Sequence, residues 1–198
     1  MAKIRKQSPH VAEIKAASRK TAKPLLYIGM VSIVMLFAGL TSAYIVRAKN
    51  GNWLVFQLPD IMILSTAILV TSSISLFIAV KAIKNNNYLI ANLGLAITLL
   101  LGIVFIFTQY EGWLQLTAQG IYFAGKYSNA SGSFLYFIAF IHVVHMAVGL
   151  LALAVSLTKC MLKKYSSADY LGIELTAIYW HFMDLLWVYL FLFLYFYR

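Results

Sequence analysis

Glu174, His181 and Asp184 all fall inside one apolar stretch, residues 170–197. The middle of that stretch reads Tyr179-Trp180-His181-Phe182-Met183-Asp184, with Trp187 just beyond. The preceding apolar stretch carries a further pair, His142-x-x-His145. Imidazoles and carboxylates can ligate a metal or heme iron, relay protons, or hydrogen-bond one another. Seven residues separate Glu174 from His181, which puts both on one helix face, and Asp184 lies three further on along that side. His142 and His145 likewise share a face. Three chemistries stay open from spacing. One is a buried hydrogen-bonded network that fixes helix register, with His donating to Asp or to a backbone carbonyl, and the spacing favours it. The others are a metal or heme site and a proton path. HxxH is weakly specific, and no second ligand pair accompanies it. His10, the only other histidine, lies in a polar N-terminal segment.

The elements that carry these groups are apolar and long. Of the 198 residues, 62% are hydrophobic and 11% charged, and the mean hydropathy is +0.82. Soluble domains average about half apolar and about a quarter charged. The composition predicts an all-α, polytopic membrane protein, a bundle of five transmembrane helices over residues 24–46, 58–83, 88–110, 133–157 and 170–197. An ionisable group within hydrocarbon costs at least ~2.5–3.5 kcal/mol. The stripe of Glu174, His181 and Asp184 must therefore face protein, so the last helix needs a partner.

Residues 1–23 form a basic tail with seven Lys/Arg, and Ser8-Pro9 could open a short surface helix there. The tail is too long and polar for the start of a typical signal peptide, and no clear cleavage site follows. If the tail, the loop near Lys81 and Lys84, and the loop of Lys159, Lys163 and Lys164 share one side, that side holds twelve of the sixteen Lys/Arg. Arg47, Lys49, Lys126 and Arg198 fall on the other. This bias predicts the N-terminus inside and the C-terminus outside. The net charge of +10 reads as a topology signal, with no nucleic-acid partner. Residues 112–132 read as the longest loop, probing the interface. Pro59 and Asp60 suit a helix start. Gln109 is deep enough to bond across helices, and Glu111 sits near water.

Counting from inner ends at Leu157 and Tyr170, His145 lies ~18 Å deep, His181 ~16 Å and Asp184 ~21 Å. Spans 4 and 5 are therefore expected to pack as neighbours, with His145 level with His181 and Asp184 and His142 one turn further out. Cys160 is the single cysteine, so no intrachain disulfide forms; beside three lysines it could be S-acylated, though an inert thiol is the plainer reading. No Gly-rich phosphate loop, nucleophile elbow or CxxC is present. The absence of an internal repeat counts against a transporter.

Glu174-x4-Tyr179-Trp180-His181-Phe182-x-Asp184-x2-Trp187 resembles the final helix of heme-copper oxidase subunit III. His142-x2-His145-x3-Gly149 is similar to the family's H-x-x-H-V-x-x-G pattern, with Met146 in place of Val. Phe105-x3-Gln109 and the run Leu58-Pro59, Thr66, Leu69 and Ser72-Ser73 extend the resemblance to everything but the basic tail. It implies an accessory core subunit of a respiratory terminal oxidase, in the short five-helix bacterial form, in the inner membrane. Partners would be subunit I, directly, and subunit II, which hold the heme and copper. This chain would carry no cofactor and no catalytic residue, and phospholipid could bind it. His142, His145, Glu174, His181 and Asp184 would form a structural polar core supporting stability and proton uptake. Many family members carry a buried Glu where this chain has Ile33. A quinol oxidase or nitric oxide reductase attachment and a stand-alone metal or heme protein are the alternative readings.

Overall fold

The computed structural model describes residues 9–49, 51, 53–167 and 169–197. Ser8, the expected cap ahead of Pro9, and Arg198 lie outside the described residues. Five helices follow in order: α1 Pro9–Ala48, α2 Ile61–Lys84, α3 Tyr88–Ala118, α4 Ala130–Met161 and α5 Leu171–Phe196. Each contains a stretch long and apolar enough to cross a membrane. The fold is an all-α bundle of a membrane protein.

Helices α2, α3, α4 and α5 form a closed ring, in which each packs on its sequence neighbour and α5 returns to α2. Helix α1 stands outside the ring and, among the described residues, touches α4 and α5. Its inward side is narrow. Phe37, Thr41 and Tyr44 are buried, while Leu25, Ile28, Val31 and Met35 are exposed. Helix α5 is the most enclosed, with half of its most apolar stretch buried. The stripe-bearing last helix thus has partners on three sides.

Close approach within the ring depends on small residues. A Cβ on Gly94 of α3 would lie 2.8 Å from the Ala79 Cβ and 3.0 Å from the Ser75 carbonyl of α2. The gap that glycine leaves lets polar groups bridge the two helices. Ser75 donates to the Gly94 carbonyl at 3.0 Å and Thr98 to the Ser72 carbonyl at 3.3 Å. Gln109, fully buried, donates to Ser65 at 2.8 Å. Without water, such bridges are the partners available to buried amides and hydroxyls.

Three boundaries differ from the reading of the sequence. Helix α1 is one helix of 40 residues with Pro24 inside it, so no short surface helix is set apart at Pro9. Proline removes one helical N–H, but Pro24 lies near the polar end of the helix, where water can satisfy the freed carbonyl. Helix α3 runs on to Ala118 and α4 starts at Ala130, so the third loop covers 119–129 rather than 112–132. Gly112 and Gly132 are packing glycines within helices: a Cβ on Gly132 would meet the Ile121 side chain at 2.7 Å. The turn glycines are Gly120 and Gly125, at φ +79° and +111°. At the start of α2, Asp60 is the N-cap and Pro59 precedes it, but the Asp60 side chain makes no capping bond.

Candidate functional site

Trp180 occupies the centre of the ring. It is fully buried, and its indole N–H donates to Ser72 of α2 at 2.9 Å. Its ring lies where a Cβ on Gly102 of α3 would come within 2.5 Å and one on Gly149 of α4 within 3.2 Å. One side chain from α5 thus touches all three other ring helices. Trp187, two turns further along α5, donates to Thr66 of α2 at 3.1 Å and stacks at a tilt on the His142 ring, 5.0 Å between centroids. With Gly149 opposite Trp180 and His142 opposite Trp187, the antiparallel register sets His145 level with Asp184. Helices α4 and α5 are packed neighbours.

The five polar residues singled out by sequence do not bond to one another. His142 is fully buried, and neither ring nitrogen has a hydrogen-bond partner among the described residues. Phe37, Phe105 and Trp187 enclose it, with ring centroids 5.0 to 6.2 Å away. His145 turns its Nδ1 to the Ile141 carbonyl of its own helix at 2.8 Å, while its backbone carbonyl accepts from the Tyr179 hydroxyl at 3.0 Å. His181 pairs through Nδ1 with the Ser73 hydroxyl of α2 at 2.6 Å. Asp184 is 4% exposed and faces the same Ser73 hydroxyl, although neither carboxylate oxygen has a partner at normal hydrogen-bond geometry among the described residues. Glu174 accepts from Lys23 of α1 at 2.7 Å.

The direct bonds expected among the five are absent among the described residues; most contacts run between α5 and a different helix, and the Ser73 hydroxyl is shared by His181 and Asp184. Ser73 stands in the sequence only as part of the Ser72-Ser73 run of α2, and nothing in the linear order marks it as the partner of His181. Lys23 and Arg19 were counted only as tail cations. Arg19 pairs with Asp169 and Lys23 with Glu174, so two ion pairs hold the N-terminal half of α1 to the start of α5. Lys23 directly precedes the first apolar run and Glu174 follows the start of the last one, a symmetry legible in the sequence. The same end of the molecule gathers the α2–α3 turn and the α4–α5 loop: Asn86 bonds to Ser167 in both directions, and Tyr88 donates to the Tyr165 carbonyl. Burial first of all pushes the Tyr165 phenol above its ordinary range. Cys160, one turn from that loop, is buried. At the opposite end Arg47 and Trp53 line one cavity with Ser128 and Asn129. The ends therefore alternate as five antiparallel crossings require.

Among the described residues no three His, Cys, Asp or Glu side chains gather closely enough to hold a metal ion. The arrangement suits the joining of helices in a dry interior. Its polar groups are dispersed, and its largest buried contacts are aromatic.

Comparison with known proteins places this architecture. A family model described as Cytochrome c oxidase subunit III matches residues 17–198. The probable cytochrome c oxidase subunit 3 of Nocardia farcinica is 32% identical over 177 residues, covering 84% of this chain and 83% of the relative. The cytochrome c oxidase subunit 3 of Corynebacterium diphtheriae is 29% identical over 171 residues, with 82% of each chain covered. That of Rhipicephalus sanguineus is 35% identical over 136 residues, and there the chain spans 51% of the relative's length. The match runs through all five helices, including those that frame Trp180, and the chain belongs to the cytochrome c oxidase subunit III family.

Proposed function

We propose that this chain is a non-catalytic core subunit of a respiratory heme-copper terminal oxidase, packing against the subunit that carries heme and copper. In this reading it supports the stability of that subunit and its proton uptake while electrons pass to oxygen. The family match across residues 17–198 carries the reading. The placement of polar groups supports it: Ser72, Ser73 and Thr66 each tie α2 to α5, which is the work of a scaffold. His142, His145, Glu174, His181 and Asp184 act as structural residues that fix the position of α5. Ile33, partly buried against the core, provides no carboxylate for proton uptake at that place.

The basic end, with the N-terminal half of α1 and the α2–α3 and α4–α5 connections, faces the cytoplasm of a bacterial inner membrane, and the C-terminus faces outward. The charge asymmetry supports this orientation. Electrons come from cytochrome c rather than quinol, in keeping with the names of the relatives in both bacteria.

The test is purification through a tag on this chain from its native membrane. A heme spectrum and oxygen uptake driven by cytochrome c in the purified complex are the expected results. A chain that leaves the membrane alone, or with stoichiometric iron or copper of its own, overturns the reading. Oxygen uptake driven only by quinol would keep the subunit role and replace the donor.

A further inference from the structure

A groove of about 400 Å³ opens between the end of α2 and the start of α3, at the basic end of the bundle. Lys81, Asn85 and Asn87 line its polar part, and Phe77, Ile78 and Ile90 its apolar part. The polar side chains hold unused donors. Lys81 has neither an ion pair nor a hydrogen bond among the described residues. The Asn85 side chain makes no hydrogen bond there, and Asn87 uses only its carbonyl oxygen, on the Ile90 N–H at 3.3 Å.

The surrounding charge favours an anion. Six carboxylates occur in the whole chain: Glu13, Asp60, Glu111, Asp169, Glu174 and Asp184. The two described at this end, Asp169 and Glu174, are already held by Arg19 and Lys23 of α1. Asp184 is buried inside the bundle, and Asp60 and Glu111 belong to the opposite end of α2 and α3. Among the described residues the ammonium of Lys81 therefore has no carboxylate competitor beside the groove. A zwitterionic headgroup would find a site for its phosphate but none for its own cation.

The apolar part continues along the bundle. Ile74, Phe77 and Ile78 of α2 and Ile90, Leu93 and Ile97 of α3 are all exposed on the outside, where hydrocarbon is their natural solvent. An acyl chain lying on this surface leads directly to the lysine and the two amides.

We propose that this groove is a binding site for one anionic glycerophospholipid, its phosphate on Lys81 with Asn85 and Asn87 as further donors, its acyl chain along Phe77, Ile78 and Ile90. The occupant is a membrane lipid and not free phosphate, because the phosphate position is continuous with the lipid-facing wall. The proposal needs only that the chain spans a bilayer. It holds whichever oxidase the chain serves and whichever side of the membrane this end faces.

The experiment is native mass spectrometry of the full chain exchanged into mixed detergent with phosphatidylglycerol or phosphatidylcholine. Wild-type protein should retain one phosphatidylglycerol in preference to phosphatidylcholine. Lys81→Gln should lower that retention about fivefold, the worth of one basic residue at an anionic surface, and Lys81→Arg should keep it. Lys163→Gln removes the same charge from the α4–α5 loop and should leave retention unchanged. Glycerol phosphate, which has no acyl chain, should not displace the lipid. Equal retention of the two lipids, unchanged retention in Lys81→Gln, equal loss in Lys163→Gln, or displacement by glycerol phosphate would each overturn the proposal.

Discussion

The indole N–H of Trp180 donates to the Ser72 hydroxyl at 2.9 Å, and the Ser72 hydroxyl in turn donates to the Leu69 carbonyl at 2.6 Å. The bond joins the last ring helix to the first and closes the ring. Trp180 can reach Ser72 because Gly102 and Gly149 leave room for its ring.

Trp180→Phe removes the donor while keeping an aromatic ring, and should destabilise the chain by about 1–3 kcal/mol. Gly102→Ala puts a methyl against the same ring and should cost a similar amount, about 1–3 kcal/mol, through overpacking. Thermal unfolding of the detergent-solubilised chain measures both. Unchanged midpoints would show that Trp180 does not close the ring.

Ser73→Ala and His142→Phe should behave oppositely. Ser73→Ala leaves Nδ1 of His181 without its partner, a loss of about 1–3 kcal/mol. Among the described residues His142 has no hydrogen bond to lose, and an aromatic replacement among Phe37, Phe105 and Trp187 should stay within about 1.5 kcal/mol of the parent. Denaturation of the two variants side by side gives the order. A far larger loss for His142→Phe would show that His142 has a partner within the assembled complex.

Asp184→Ala should disturb His181 less than Ser73→Ala does. The imidazole is held directly by Ser73 at 2.6 Å, and Asp184 is coupled to it only through that hydroxyl. The nitrogen resonance of His181 Nδ1 in labelled protein should stay near its hydrogen-bonded shift in Asp184→Ala and lose it in Ser73→Ala. An equal or larger change in Asp184→Ala would show a direct histidine–aspartate link.

Helix α1 should loosen when its ion pairs are removed. Lys23 and Glu174 are 40% and 32% exposed at their side chains, so their coupling should be below about 1 kcal/mol and fall with salt. Global stability should barely move in Lys23→Gln. Protease cleavage in the N-terminal half of α1 should nevertheless rise, and the reversed pair of Lys23→Glu with Glu174→Lys should return it to the parent rate. Identical cleavage in all three proteins would mean that packing alone holds α1.

The sequence by itself determined five apolar crossings, their alternation, and the need of the last one for a protein environment. Transfer of each side chain from water to hydrocarbon is a local property, so a run of Leu, Phe and Trp declares its fate without neighbours. Periodicity and counted depth also gave the level of His145 with Asp184, and the depth of Gln109 its bond across helices. What a linear reading could not give was which helix lies beside which face. Glycine at 112 and 132 looks the same whether it makes a turn or admits a neighbouring helix, and only the packed bundle shows the second. Histidine and aspartate three residues apart suggest a pair, yet the rotation of α5 turns both toward Ser73, whose hydroxyl and not the carboxylate pairs with His181. The tertiary structure decided that rotation, because it is set by the large ring of Trp180 fitting over two glycines on two other helices.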